Sequence, residues 1–283
     1  MDDSAAFARL IRALRPWLGH LVIVGGWAHR LHRLHPLAGT PTYAPLRTRD
    51  VDLALSLRAP LDGDIRGALE AAGFKPEYSG DNRPPVTQYT LSDDDAGFYA
   101  EFLVPLQGGE DKRDGTPDVT VSKAGVNAQK LRHLELLLVA PWAVQIGPGT
   151  EVPPDEPVNV LVPNPVSFVV QKLLVHDKRK PGKKAQDVLY IHDTLELFGA
   201  SLDELGSLWT DQIRQTLADR TAKRTEAAAR ALFEQVTDTI REAARIPQDR
   251  RLAPEVVRAA CAYGLELILH RGTDATRSQT AVG

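Results

Sequence analysis

A single cysteine, Cys261, among 283 residues leaves the chain unable to form an internal disulfide. A disulfide-built secreted domain is excluded on that ground, and a reducing compartment is indicated. An excess of charge of one sign is also missing. The 34 Lys and Arg stand against 37 Asp and Glu, a formal net charge of -3. That balance does not favour sequence-independent binding to long nucleic acid, although a local basic groove stays open. Aromatic residues reach only 6% and do not alternate with basic ones, so no stacking platform for single strands is indicated. No window approaches the roughly 18 apolar residues of a membrane span. The opening Met1, Asp2, Asp3 lacks the positive region and apolar core of a secretory leader. A cytoplasmic protein with no membrane partner is therefore expected. Walker-type P-loop, HExxH and GxSxG patterns are absent as well, which removes the best-known nucleotide, zinc-protease and serine-hydrolase signatures.

What is present divides into two halves. Residues 4–15 carry Phe7, Leu10, Ile11 and Leu14 at helical spacing, with Pro16 as a stop. HLVIVGG, residues 20–26, reads as a buried strand ending at two glycines, and residues 36–46 as a loop. VDLALSL, residues 51–57, is a second strand, and residues 62–72 fit a helix capped by Asp62 with Gly73 beyond its end. Residues 86–92 and 98–106 read as strands around a polar turn at Asp93–Asp95. LRHLELLLVA, residues 131–140, fits helix or strand alike, loops are expected over 107–118 and 147–157, and residues 158–162 make another strand. From Pro165 the pattern becomes helical: one helix to Pro181–Gly182, another over 184–198, alanine-rich helical sequence after 207, and a final helix over about 254–270. The expected architecture is an α/β (α+β) domain with a small mixed sheet over residues 1–163, and a mostly helical domain over 164–283 that closes the cleft.

The segment RTRDVDLALS, residues 47–56, carries the chemistry. Asp50 and Asp52 are separated by one residue, so a strand places both on one face, roughly 7 Å apart along the backbone. Two such charges are costly together without a cation or a raised pKa. Magnesium removes that cost, takes oxygen ligands and leaves room for substrate phosphates. Glu101 stands in the otherwise apolar FYAEFLV. An ionised group there either faces solvent or turns into a site. Gly25 and Gly26 end a strand about 25 residues before the acids, where backbone amides can approach a phosphate closely.

In this combination the chain resembles the polymerase-beta-type nucleotidyltransferase superfamily, and within it the minimal bacterial branch that includes abortive-infection toxins. The matching pieces are Gly25 and Gly26, then Asp50 and Asp52 in RTRDVDL with Arg47, Thr48 and Arg49 alongside, then Glu101. A later lysine-bearing helix is matched by Lys172 in SFVVQKLLVH, and a following aspartate by Asp187 in KKAQDVLYIHD. The likeness covers residues 18–195 or so. It departs from the pattern at Trp27, which follows the glycines, at Glu101 in place of an aspartate, and at Tyr190 in place of a second aspartate. The resemblance implies Mg2+ held by Asp50, Asp52 and Glu101, and a nucleoside triphosphate held by Gly25, Gly26, Arg49, Lys172 and Asp187. Lys172 would also offset charge on departing pyrophosphate. The acceptor hydroxyl is left open between an RNA end, a protein and a small molecule such as an aminoglycoside. A toxin would in turn imply an antitoxin partner.

Other features carry competing readings. HDKRKPGKK, residues 176–184, is either a phosphate or polynucleotide clamp or a solvated loop. Lys172 lies in an apolar helix and needs a partner, either Asp187 or a bound phosphate, unless it snorkels to solvent. His29, His32 and His35 are spaced along one helical side but lack the fourth ligand of a structural zinc site. A catalytically inactive nucleotide-binding or scaffold protein of the same fold is the alternative function. A structural protein whose acids are merely solvated is the remaining one.

Overall fold

The computed structural model describes residues 3–91, 97–109, 111, 117–150 and 156–279, with 271–279 described by backbone alone. The turn at Asp93–Asp95 lies outside the described residues, as do parts of the loops at 107–118 and 147–157. The chain forms two compact units. One comprises Met1–His35 and Arg47–Pro163, the other Pro36–Leu46 and Asn164–Gly283. The first holds a mixed nine-stranded sheet and the second is helical, so the fold is α+β.

The strands are β1 (Leu21–Val24), β2 (Asp50–Leu55), β3 (Phe74–Ser79), β4 (Val86–Leu91), β5 (Tyr99–Pro105), β6 (Thr120–Lys123), β7 (Val126–Leu131), β8 (Trp142–Ile146) and β9 (Val158–Val162). Their order is β3-β4-β5-β2-β1-β9-β8, and the β6–β7 hairpin joins β5 through β7. Strand β2 runs antiparallel to β1 and parallel to β5. Alternation sorts the side chains. On one face Val51, Leu53, Phe98, Ala100 and Phe102 are fully buried. Helices α1 (Asp3–Ala13) and α2 (Gly25–Leu31) deliver Phe7 and Trp27 to that side. The two rings stack at 3.9 Å, and Trp27 meets Phe98 edge-on at 6.4 Å. On the other face Val22, Val24, Ala54 and Leu103 pack with Leu134 and Leu137 from a 3-10 helix at Leu134–Leu138.

Several elements differ from the sequence reading, each for a local reason. Helix α3 (Ile65–Ala71) is capped by Asp64, whose side chain accepts from the Gly67 amide at 3.0 Å, and not by Asp62. Strand β3 contains Pro76 and charged residues, which suit an edge strand and hide it from pattern reading. The ambiguous segment at 131–140 is neither α-helix nor strand over most of its length; it ends β7 and then forms the short 3-10 turn. Strands β6 and β8 are four and five residues long, too short to print a period.

His32 is buried where α2 gives way to a 3-10 turn, and its Nε2 donates to the Pro163 carbonyl at 2.7 Å. Burial dominates and lowers its pKa to about 4, against the raising effect of that carbonyl. A depressed histidine contributes stability above its unfolded pKa and loses it as pH falls through the folded value. Between about pH 6.5 and 4 the parent is expected to lose on the order of 3 kcal/mol through this residue. Urea midpoints across that window, compared with those of His32→Gln, test this; equal slopes would refute it.

The helical unit contains α4 (Pro165–Val175), α5 (Pro181–Leu197), α6 (Leu202–Leu208), α7 (Asp219–Phe233), α8 (Asp238–Arg245) and α9 (Pro254–Gln279). Asn164 caps α4 by accepting from the Ser167 amide at 2.8 Å, with Pro165 at the first helical position. Pro181 and Gly182 do not lie outside α5, as the sequence suggested, but begin it. Proline at the first position is pre-organised for a helix and its missing N–H costs nothing there. Cys261 is buried in α9, and burial pushes its thiol pKa up, so it packs and does not react. No helix among the described residues is long and apolar enough to cross a membrane.

Candidate active site

The acids gather at one end of the sheet. Asp52 is in register with Glu101 across the parallel β2–β5 pair, and Asp50 with Tyr99. Val24, the last residue of β1, pairs with Asp52 from the other side. All of Asp50, Asp52, Tyr99 and Glu101 are half-buried, in contrast to the buried residues between them. Their shared parity places them on the face that carries Ala54 and Leu103 further along. Covered hydrophobic packing thus anchors one end of each strand, and carboxylates occupy the other.

Gly25 completes the corner. Its φ is +67°, and a Cβ there would collide with Asp52 Oδ2. The left-handed backbone favours glycine, and a Cβ there would have to push the Asp52 carboxylate aside. Gly25→Ala is expected to displace Asp52 and reduce any activity of the site at least tenfold, with a cost of about 1–2 kcal/mol for the left-handed backbone. Comparing kcat and urea midpoint checks both parts; an unchanged kcat would refute the contact. Trp27 does not crowd this corner, because it is fully buried against Phe7 and Phe98.

Asp50 and Glu101 each have hydrogen-bond partners. The Thr48 hydroxyl donates to Asp50 Oδ1. Gln88 Nε2 donates to Glu101 Oε1 at 2.5 Å, and Gln129 Nε2 to Oε2 at 3.5 Å. Burial raises the Glu101 pKa; the Gln88 hydrogen bond opposes this and the Asp50 charge adds to it. The Tyr99 hydroxyl is pushed up to about 12, by burial first and then by the charges of Asp50, Glu101 and Asp52. Both shifts describe a locally negative, partly desolvated corner that favours a cation or a proton. Oxygen-only donors on one face suit a hard cation such as Mg2+. Arg49 is exposed beside Asp50, and Arg47 pairs with Asp3 at 3.2 Å.

A different group is more tightly gathered. Among the described residues, His192, Asp193 and Glu196 of α5 place their donor atoms within 4.8 Å of one another. Asp50, Asp52 and Glu101 are not gathered that closely, in keeping with the repulsion of like charges. In the α5 group, however, a cation is already supplied by the protein. Arg250 Nη2 donates to Asp193 Oδ1 at 2.5 Å, and its Nη1 lies 3.8 Å from Glu196 Oε2. Its guanidinium carbon also sits 3.3 Å from the Tyr43 ring centroid. The Ala44 amide donates to Asp249 at 2.7 Å and the Gly39 amide to the Leu197 carbonyl at 2.7 Å. Together these contacts pin residues 36–46 onto the helical unit, so a structural role accounts for the group.

Lys172 is buried in α4. Its Nζ donates to Asp187 Oδ1 at 2.8 Å and lies 4.6 Å and 4.5 Å from the ring centroids of Phe168 and Tyr190. Arg179 Nε lies 3.2 Å from the other Asp187 oxygen. Tyr190, where the resembling branch has an acid, therefore supplies a ring face to the lysine. Lys178, Arg179, Lys180 and Lys183 of the basic segment are exposed and Lys184 is half-buried. His29 and His32 are buried, and His35 stacks on Trp142 at 3.8 Å, so the three histidines serve the packing of the first unit. Gln88 and Gln129 were not singled out from sequence. Only strand register brings them to Glu101, and neither strand spells that register.

Comparison with known families supplies an independent finding. A family model described as a nucleotidyltransferase matches residues 2–214. No curated protein matches the chain.

Proposed function

The chain belongs to that nucleotidyltransferase family, and from this premise we propose that Asp50, Asp52 and Glu101 form the Mg2+ site of a transferase that moves a nucleotidyl group from a nucleoside triphosphate to a hydroxyl. The observation that carries the reading is the register of Asp52 with Glu101 on adjacent parallel strands, with Gly25 closed onto Asp52. Magnesium, when bound, neutralises phosphate charge and acidifies a hydroxyl. The residues do the rest. Asp50 and Asp52 supply the fixed negative charge. The partly desolvated Glu101 is suited to take the proton of the incoming hydroxyl. Gly25 and Gly26, half-buried at the start of α2, leave backbone open to phosphates. The hydroxyl oxygen forms a bond to the α-phosphorus as the bond to pyrophosphate breaks.

In this proposal Arg49, exposed next to Asp50, meets the triphosphate. The resemblance also implies Lys172 as a triphosphate ligand, and its Nζ donates to Asp187. The resemblance to abortive-infection toxins makes an RNA end or a protein hydroxyl the first acceptor to test, with small molecules third. A toxin role would bring an antitoxin partner with it.

The test is incubation of the full chain with each α-phosphate-labelled nucleoside triphosphate, Mg2+, and separate fractions of RNA, protein and aminoglycosides. Label is expected in one fraction with the parent, and in none with Asp50→Ala/Asp52→Ala. Magnesium-dependent triphosphate binding without transfer to any fraction would instead establish an inactive binding protein.

A further inference from the structure

The edge of β5 opposite β2 is shared by two strands. Strand β4 pairs with it over Tyr99–Glu101, and β7 takes over from Phe102 to Pro105. The sheet therefore forks, and the fork falls at Glu101. From one prong Gln88, the direct cross-strand neighbour of Glu101, donates to Oε1 at 2.5 Å. From the other prong Gln129, in register with Leu103, donates to Oε2 at 3.5 Å. The prongs are tied to each other beside this point. Asn127 Nδ2 of β7 donates to Thr87 Oγ1 of β4 at 3.0 Å, and Ser122 Oγ of β6 donates to Asn127 Oδ1 at 2.7 Å.

We propose that Gln88 and Gln129 are positioning residues that grip the third carboxylate of the site from the two prongs of the fork. The inference rests on the reading of Asp50, Asp52 and Glu101 given above. A glutamate side chain has three rotatable bonds, and one donor fixes it poorly. Two donors from separate strands, one to each oxygen, determine the plane of the carboxylate. An ionised carboxylate offers about four lone-pair sites, so two amide donors leave others for a cation. Amides suit this task because they donate without adding a positive charge that would compete with a metal. Such outer partners orient a ligand without touching the ion, and losing one typically weakens metal binding about 10–100-fold.

The experiment measures Mn2+ binding to the intact chain by electron paramagnetic resonance, in the parent, Asp52→Asn, Gln88→Met and Gln129→Met. Methionine keeps the length of glutamine and removes the donor. Gln88→Met is expected to weaken Mn2+ binding about tenfold, and Gln129→Met less, in line with its longer bond. Near-ultraviolet circular dichroism should match the parent, which separates positioning from misfolding. Once an acceptor is in hand, kcat should fall while KM for the triphosphate holds. If Asp52→Asn abolishes Mn2+ binding and both methionine variants bind like the parent, the grip is refuted and the site stands. If Asp52→Asn also binds like the parent, the site and the inference fall together.

Discussion

Asp52→Asn is expected to lower nucleotidyl transfer by about a thousandfold while leaving the fold intact. The substitution preserves shape and removes one charge from the corner where β1, β2 and β5 meet. The neighbours of Asp52 explain why that charge cannot be replaced. Val24 lies beside it on one strand and Glu101 on the other, and the left-handed Gly25 lets the backbone come close to its carboxylate. Stability should rise slightly, if it changes, because relieving repulsion among three carboxylates favours the folded state without a cation. Loss of activity with a raised urea midpoint is the signature of a functional charge held at a cost in stability. Transfer within tenfold of the parent would remove Asp52 from the chemistry.

Lys172→Met is expected to destabilise the helical unit by about 3–5 kcal/mol, the usual result of stranding one member of a buried ion pair. Lys172 and Asp187 are only 4% exposed each, and their bond is 2.8 Å. Arg179 stays within 3.2 Å of Asp187 but is itself partly in solvent, which places the cost toward the lower end of that range. Lys172→Met/Asp187→Leu should recover most of the loss, since replacing both charges with apolar groups leaves nothing unpaired. The double variant also resolves the catalytic question. Recovered stability with recovered transfer confines Lys172 to packing α4 on α5. Recovered stability without transfer assigns Lys172 a second role at the triphosphate. A single variant as stable as the parent would refute the buried pair.

The legible parts of the sequence were those in which one strand or one helix encodes its own role. The apolar run before Gly25–Gly26, the Asp-x-Asp strand and the lone acid of β5 all appear where they were read. The helical second half was equally plain, because alanine-rich and amphipathic sequence has a period long enough to recognise. Elements stabilised mainly by neighbours were not legible. Strand β3 carries Pro76 and exists by pairing with β4 across six residues. The β6–β7 hairpin closes over Ala124 and Gly125, both at positive φ, and its alternation is confined to Val126 and Ala128 of β7. The site shows the same division. Asp50 and Asp52 lie in one strand, but Gln88, Glu101 and Gln129 meet only through the register of three strands. For Lys172 the sequence leaves two anions open, Asp187 and a bound phosphate, because a lysine in an apolar helix demands one. Fifteen residues on, the same helical hairpin supplies one in Asp187.

The most direct test of the central claim is a crystal of the protein grown with Mn2+ and a non-hydrolysable nucleoside triphosphate, read by anomalous scattering. The expected result is a manganese peak about 2.2 Å from oxygens of Asp50 and Asp52, with Glu101 turned toward it from the fork and the triphosphate against Gly25 and Gly26. A peak at His192, Asp193 and Glu196 with the β2 acids bare would contradict it.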